Sequence, residues 1–520
     1  MLHENPHGAT AALLLLVGSV MFLLYHYLTT KIPITGAPMA PHSHFLWGHL
    51  FRFLHEDFHE TFRQFSRAAN QYGQVGIWIF DKPTLCVFDL EDAKTVLHKE
   101  KDRFVPYPVT RHFAYFTGKR DFLILNGRDW KLQRTAVTST INEHFLDDTR
   151  RDCMQVTQIM SRTILRKLDS TTSGVLSLDF EPLMKVITLD ILCRTLFDVD
   201  MNCCGKEELI SPVASAFEFL CSELFKRIRY FYLPQLIFYW LPTDANRQHR
   251  QHRRFLEEFM MGIINKKRQA LERGDRGRDV MSKLLRAHGN VKTMLEGAEH
   301  YTDMDLMGVC LGLFQGGFDT TSITLSAVLY LLALHPEAQD TCVREIQNLG
   351  DDDMSNHRAL AYCHGAFWEA LRLYAPLPFN NRTLSRSLVL KGGLVVPQGA
   401  DVQIATQAIN LNEERFPHPH EFRPERWAVP TANGAWRERL PSDEYGGIPT
   451  GNYAHVLSFS AGGRNCVGHK FAQQEGVIVM ANLLKQLEFQ VKPGYKMETM
   501  CKTVLQKPVN GCWLNVSKRA

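Results

Sequence analysis

Between Met304 and His335 the chain runs without a proline, and Pro336 closes the run. As an α-helix rising 1.5 Å per residue, such a stretch is about 50 Å long, well beyond the globular mean. A helix of that length commits the chain to a mainly α architecture built around it. In its middle stands Gln315-Gly316-Gly317-Phe318-Asp319-Thr320-Thr321. Two glycines inside a helix cost about 1 kcal/mol each relative to alanine. Two circumstances justify them: close packing of a neighbouring helix, or a flat ligand lying against the glycines with Asp319 and Thr320 beside it.

Strand-like segments are early and few. Residues 74–80 and 84–90 have the pattern of two strands, with Asp81, Lys82 and Pro83 as the turn between them. Residues 247–279 are dense in charge and read as a helix with a solvated face. The aromatic stretch 217–240, with Phe231, Tyr232, Phe238, Tyr239 and Trp240, reads as core or as a lipid-contacting surface. No repeat, low-complexity tract or linker divides the chain, so 31–520 is expected to form one mainly α domain with small β-sheets. The 520 residues carry 59 Lys and Arg against 55 Asp and Glu, a net charge of +4. That balance argues against a dedicated nucleic-acid binder, and an aromatic content of 11% argues against a disordered chain.

Residues 9–28 form a run of apolar character with no formal charge while His26 is neutral. A helix over this run spans about 30 Å, enough to cross a bilayer. The n-region has Glu4 and no Lys or Arg, and no small-x-small cleavage site follows, so residues 1–30 read as a retained membrane anchor. Lys31 on the C-terminal flank places the remainder on the cytoplasmic side. Pro33, Gly36, Pro38 and Pro41 supply a stiff hinge, and Gly48 marks the start of the folded body.

The twelve cysteines are scattered, with no Cys-x-x-Cys pair, so neither a zinc module nor a disulfide framework is indicated. One of them has unusual neighbours, in Phe459-Ser-Ala-Gly462-Gly463-Arg464-Asn-Cys466-Val-Gly468. The glycines allow a tight loop whose amides can point at the Cys466 sulfur, and a helical pattern begins directly afterwards. Both effects favour the thiolate, and a thiolate so placed is suited to axial ligation of a haem iron.

Phe459, Gly462, Arg464, Cys466 and Gly468 match F-x-x-G-x-R-x-C-x-G, and the loop resembles the haem-binding loop of the cytochromes P450. Three more matches follow the same family's order. Glu369-Ala-Leu-Arg372, with Arg426 in Phe422-Arg-Pro-Glu-Arg426-Trp427, resembles its E-x-x-R and P-E-R-F pair, which implies a structural network of Glu369, Arg372 and Arg426. Trp130-Lys-Leu-Gln-Arg134 resembles its W-x-x-x-R helix, and the i,i+4 spacing places both residues on one face. The segment 316–321 resembles A/G-G-x-D/E-T-T/S. The resemblance covers the chain from the hinge onward. It implies the P450 fold, with haem b between a long central helix and the cysteine loop. Cys466 would be the iron ligand, with Phe459 in its loop. Trp130, Arg134, Arg464 and Arg382 would hold the propionates, and Gly316 and Gly317 would make room above the iron.

By the same resemblance Asp319 and Thr320 form the acid–alcohol pair that delivers protons during oxygen reduction, with Thr320 as hydrogen-bond donor and Asp319 as link to a proton supply. The plain alternative for Thr320 is a bond back to a carbonyl four residues earlier. The pair favours a monooxygenase over a reductase-independent isomerase or dehydratase, and over a non-catalytic haem sensor. No dinucleotide fingerprint is present, so electrons are expected from NADPH–cytochrome P450 reductase, with cytochrome b5 as a second donor. The anchor places both in the endoplasmic reticulum membrane. Arg128, Lys131 and Lys470 are candidate docking charges for these partners. Phe113, Tyr115, Phe116, Phe318, Leu377 and Phe379 are expected to border an apolar pocket for a sterol or fatty acid. Residues 431–455 lengthen the loop before the haem segment.

Overall fold

The structure is a computed structural model that describes residues 17–21, 34–41, 48–49, 52, 56–79, 82–100, 112, 114, 121, 123–206, 212–228, 239–286, 302–350, 354–440, 443–445, 448–449, 456–501 and 504–519. Of the expected anchor only Val17–Met21 fall within these, helical and exposed; the rest of 9–28 lies outside the described residues.

Helices dominate. The first half carries α1 (Phe58–Ala68), α2 (Leu90–Lys99), α3 (Gly127–Thr140), α4 (Glu143–Asp169), α5 (Phe180–Phe197) and α6 (Pro212–Ile228). The second half carries α7 (Asp244–Glu272), α8 (Asp303–Leu334), α9 (Pro336–Leu349), α10 (Ala361–Leu373), α11 (Thr406–Asn410) and α12 (His469–Gln486). A four-stranded sheet has the order β1-β2-β7-β4, from β1 (Gln74–Ile79), β2 (Lys82–Val87), β7 (Asp401–Ile404) and β4 (Asn380–Thr383). A second sheet joins β12 (Leu487–Val491), β15 (Trp513–Lys518) and β3 (Val175–Asp179). Two-stranded ladders are β5 (Leu388–Val389) with β6 (Val395–Val396) and β8 (Ala428–Pro430) with β9 (Trp436–Glu438). Two more pair β10 (Glu444–Tyr445) with β11 (Ile448–Pro449), and β13 (Thr499–Cys501) with β14 (Gln506–Pro508).

The long helix runs as the sequence predicts, one residue earlier at each end. Thr302 and Asp305 form a capping box at its start. Its flanks are apolar all round, as befits a helix packed on every side. Leu325, Val328, Leu329 and Leu332 are fully buried, each stabilising by about 2 kcal/mol through area removed from water. The helix is long and apolar enough to span a membrane, yet 83% of its apolar window is buried in the protein. It is the core helix.

Departures from the sequence reading have local causes. The second strand begins at Lys82 and ends at Val87, because Asp89 caps α2 by accepting the Glu91 and Asp92 amides at 2.9 Å. Pro83 is the second residue of the strand, ahead of its pairing with the Asp401–Ile404 strand, where its missing N–H is tolerated. The charged helix stops at Glu272, since Gly274 and Gly277 take left-handed conformations. Its buried stripe is Leu256, Met260, Ile263 and Ile264, while its outer face is solvated as expected.

The core closes tightly where α12 meets α10. A Cβ on Gly476 would stand 2.1 Å from the Phe367 ring, which is itself buried. Gly476→Val is therefore expected to lower stability by about 1–3 kcal/mol through overpacking. Gly316→Ala, whose Cβ meets nothing within 4 Å, should leave stability unchanged or raise it by up to about 1 kcal/mol. Urea denaturation of both variants checks the contrast, and equal stabilities would contradict it.

Candidate active site

The Cys466 loop is held before the cysteine is reached. Asn410, at the end of α11, accepts from the Leu457 amide at 3.1 Å and donates to Ser458 Oγ at 3.0 Å. Ser458 Oγ in turn donates to Leu371 O of α10 at 2.7 Å. Trp368 meets Phe459 edge-on at 5.4 Å between centroids. Ser460 has φ 60°, ψ −167°, a conformation sparsely populated by residues other than glycine. Gly462 has φ +71°, and a Cβ there would lie 2.2 Å from Leu97 O, so only glycine lets the loop seat on the end of α2. The Cys466 amide then donates to Phe459 O at 2.9 Å, two residues ahead of the α12 N-cap, Gly468.

Cys466 is exposed, whereas the other eleven cysteines are buried. Burial nevertheless pushes its thiol up, opposed by the Gly468 amide and the Arg134 guanidinium. An accessible sulfur that is still desolvated borders an opening enclosed by protein. The Gly468 amide favours the thiolate, the direction read from the sequence, but together with the Arg134 guanidinium it does not outweigh desolvation. A metal cation at the sulfur reverses this balance, because a coordinating thiol is deprotonated outright.

On α8, between Leu306 and Ala333, every residue is buried except Gly316, which is exposed, and Gly317 and Thr320, which are half-buried. Gly316 and Thr320 share a face one turn apart. The Thr320 hydroxyl donates to Gly316 O at 2.6 Å, the backbone bond anticipated as its plain alternative. Asp319 is buried; its Oδ2 accepts from Lys507 Nζ at 2.9 Å, and its Oδ1 has no hydrogen-bond partner among the described residues. The two glycines divide. A Cβ on Gly316 would meet open space, while one on Gly317 would lie 2.9 Å from Leu192 Cδ2 of α5. Gly317 serves helix packing, while Gly316 borders open space.

A basic wall adjoins the loop. The Arg464 guanidinium lies 4.2 Å from the Trp130 ring centroid. It also donates to Leu125 O at 2.7 Å and Asn126 Oδ1 at 3.0 Å. Arg134 donates to Asn465 Oδ1 at 2.8 Å, so Trp130 and Arg134 do share one face, turned to the loop. Burial lowers the Arg134 pKa, against the pull of Cys466. Arg382, fully buried on β4, is pushed down to about 10 by burial, with Glu100 acting the other way. Guanidiniums in such desolvated surroundings favour an anionic ligand. Accessible thiol, bare helix face and basic wall fit a haem: sulfur for the iron, arginines for the propionates, Gly316 for the space above. Among the described residues no group of three or more His, Cys, Asp or Glu could hold a metal ion otherwise.

Beneath the loop lies the expected ionic network, deeper than an i,i+3 surface pair. Glu369 and Arg372 are fully buried and Arg426 is 1% exposed. Arg372 holds the carboxylate with two bonds, Nε to Oε2 at 2.9 Å and Nη2 to Oε1 at 2.7 Å, and Arg426 Nε reaches Oε1 at 3.0 Å. One carboxylate cannot neutralise two guanidiniums, so backbone carbonyls take the remaining donors: Asn410 and Pro419 from Arg372, Pro417 and His418 from Arg426. The sequence did not point to Trp427, whose Nε1 donates to Glu369 Oε2 at 2.9 Å, nor to Asn410 and Lys507. Trp427 stands inside a matched motif, which was the available signal; Asn410 and Lys507 stand in none.

The expected pocket residues fare differently. Phe113, Tyr115 and Phe116 lie outside the described residues. Phe318 packs in the core against Phe314 and Phe217, with centroids 6.0 and 5.7 Å away. Phe379 stacks on Phe58 at 4.9 Å. Both serve packing, because their backbone positions aim them at α6 and α1. Leu377 is half-buried against the main core. Of the candidate docking charges, Arg128 and Lys131 are exposed, while Lys470 pairs with Glu143 at 3.0 Å. The long loop after residue 430 is not inert: Trp436 packs on Tyr362 of α10 at 4.6 Å.

The family model described as Cytochrome P450 matches residues 38–514. Cytochrome P450 6a2 of Drosophila melanogaster is 26% identical over 502 residues, covering 92% of this chain and 93% of its own. Cytochrome P450 4F8 of Homo sapiens is 28% identical, covering 76% of this chain and 74% of its own. Cytokinin hydroxylase of Arabidopsis thaliana is 25% identical, covering 82% and 78%.

Removing the shared carboxylate leaves two buried guanidiniums without a counter-ion. Glu369→Ala should cost about 3–5 kcal/mol and leave little haem bound per chain. Urea denaturation together with a haem-to-protein absorbance ratio reads both effects; wild-type values for either would contradict the role given to the network.

Proposed function

From the premise that this chain belongs to the cytochrome P450 family and is a haem-thiolate monooxygenase, we propose that it hydroxylates or oxidatively demethylates a lipophilic substrate, a sterol or a fatty acid. Haem b is the cofactor of this reading; when bound, it supplies dioxygen activation and transfer of one oxygen atom, with the thiolate's electron density favouring O–O cleavage. Cys466 holds the group from the loop side. Arg134, Arg464 and Arg382, with Trp130 as the stacking surface for Arg464, hold its carboxylates and orient it. The name of the plant relative supports hydroxylation as the reaction type.

The observation that carries the reading is the accessible face of α8. Between Leu306 and Ala333, where the helix is otherwise largely buried, the bare Gly316 and the Thr320 hydroxyl stand together, with Asp319 directly before Thr320 in sequence. Gly316 leaves space for a small diatomic molecule. The Thr320 hydroxyl keeps lone pairs while bonded to Gly316 O, and rotation about its Cβ–Oγ1 bond turns its proton from that carbonyl toward the accessible side of the helix. Asp319 Oδ1, buried and with no hydrogen-bond partner among the described residues, accepts from a water that replenishes that proton.

Electrons come from NADPH–cytochrome P450 reductase, with cytochrome b5 as a second donor, docking at Arg128 and Lys131. Residues 1–30 anchor the chain in the endoplasmic reticulum membrane, and 31–520 form the catalytic domain facing the cytoplasm, where a lipophilic substrate enters from the bilayer. The charge-free apolar run 9–28 supports this placement.

Thr320→Ala tests the proton role. In a reconstituted reductase system supplied with fatty acids and sterols, the wild type should couple NADPH use to oxygenated product. The variant should consume NADPH and release peroxide, with product per NADPH reduced about tenfold or more. Unchanged coupling would remove Thr320 from the mechanism. Absence of product from every lipid would overturn the substrate class.

A further inference from the structure

Asp319 is not alone with Thr320. Its side chain is 5% exposed and its partner Lys507 is 34% exposed, so the pair runs from the solvent boundary to the buried face of α8. Lys507 belongs to β14, far from α8 in sequence, and its position is imposed by the hairpin that carries it. Met500 pairs with Lys507 across the ladder. The hairpin is tied to three other elements. The Cys501 amide donates to Asp57 Oδ2 at 3.2 Å, the Gln506 amide to Pro376 O at 2.9 Å, and the Met497 amide to Tyr330 Oη at 3.2 Å. A cation held on so fixed a frame fixes the carboxylate it binds.

The other charged or titratable groups near Asp319 do not replace Lys507. Lys185 of α5 is partly buried, yet Glu181, Glu218 and Asp319 together hold its ammonium above its ordinary range. Its direct bonds go to Glu181 at 2.7 Å and Glu218 at 2.9 Å, so that charge is already matched. Cys221 of α6 also faces Asp319, and burial keeps it a neutral thiol. Thr320 spends its hydroxyl proton on Gly316 O. Lys507 is thus the cation in direct contact with the acid among the described residues.

We propose that Lys507 is a positioning residue for proton supply. It binds Oδ2 of Asp319 on the solvent side and leaves Oδ1 as the interior acceptor, so the carboxylate is held in one orientation and joined to the outside. The assignment rests on the proton role of Asp319 given above. Without Lys507 the buried carboxylate loses the charged partner that orients it, and a carboxylate free to turn no longer joins the solvent side to the face of α8 beside Thr320.

The test compares Lys507→Met, Lys507→Arg, Asp319→Asn and the double variant Lys507→Met/Asp319→Asn, each as haem-loaded full chain. The first readout is independent of turnover: the infrared stretch of the Asp319 side chain, identified by its loss in Asp319→Asn. Lys507→Met should shift that band from its wild-type position, Lys507→Arg should restore it, and the double variant should lack it. The second is product per NADPH, which should fall about tenfold in Lys507→Met and return to within about twofold of wild type in Lys507→Arg, which restores the charge. If Lys507→Met fails to hold haem, Lys507→Gln, which keeps the stem without the charge, carries the same comparison. Lys507→Met matching wild type in band and coupling while Asp319→Asn loses coupling would overturn the role of Lys507 alone. Full coupling in Asp319→Asn would overturn the reading it rests on as well.

Discussion

A single carboxylate, that of Glu369, accepts from Arg372, Arg426 and Trp427 in a place where none of them reaches water. Buried charges are costly unless paired and fully hydrogen-bonded, and here the surplus positive charge is absorbed by carbonyls of the segment 410–421. That segment has no long element of its own to hold it. Binding its carbonyls to two fixed guanidiniums gives it one conformation, and with it the position of Asn410. Asn410 passes the constraint on to Leu457 and Ser458, where the cysteine loop begins. The sulfur of Cys466 is located by a chain of polar contacts that starts at Glu369.

The central helix is set by packing. Between Leu306 and Ala333 its accessible positions are Gly316, Gly317 and Thr320, where side chains are small or absent. Gly317 lets α5 approach, while Gly316 keeps a stretch of backbone bare. One dipeptide thereby secures the helix in the core and opens it toward the site. Asp319 faces another direction again and is met there by Lys507 from the C-terminal hairpin, so the Asp319 side of the helix depends on a strand remote in sequence.

Sequence reading went furthest where chemistry demands fixed spacing. The central helix, the first strand pair, the cysteine loop, the Glu369 network and the Trp130–Arg134 face were legible because each is written in a local pattern. It went less far where contacts join distant segments. Nothing around Asn410 or Lys507 marks them, since their partners lie in other elements. Aromatic residues were the least legible. Phe318 and Phe379 were read as pocket residues, and which neighbours they meet depends on the element each occupies: Phe318 packs on Phe217, and the half-buried Phe379 stacks on Phe58. The state of the Cys466 thiol was also beyond the sequence, because desolvation depends on everything packed around the loop.

X-ray absorption at the iron edge of the haem-loaded protein tests the account most directly. The structure has a single accessible cysteine, set where the loop and the Glu369 network place it. One sulfur scatterer in the first shell of iron in the wild type, and none in Cys466→Ser, is the result this account predicts. A first shell of nitrogen and oxygen alone in the wild type, or a sulfur that survives the substitution, would contradict it.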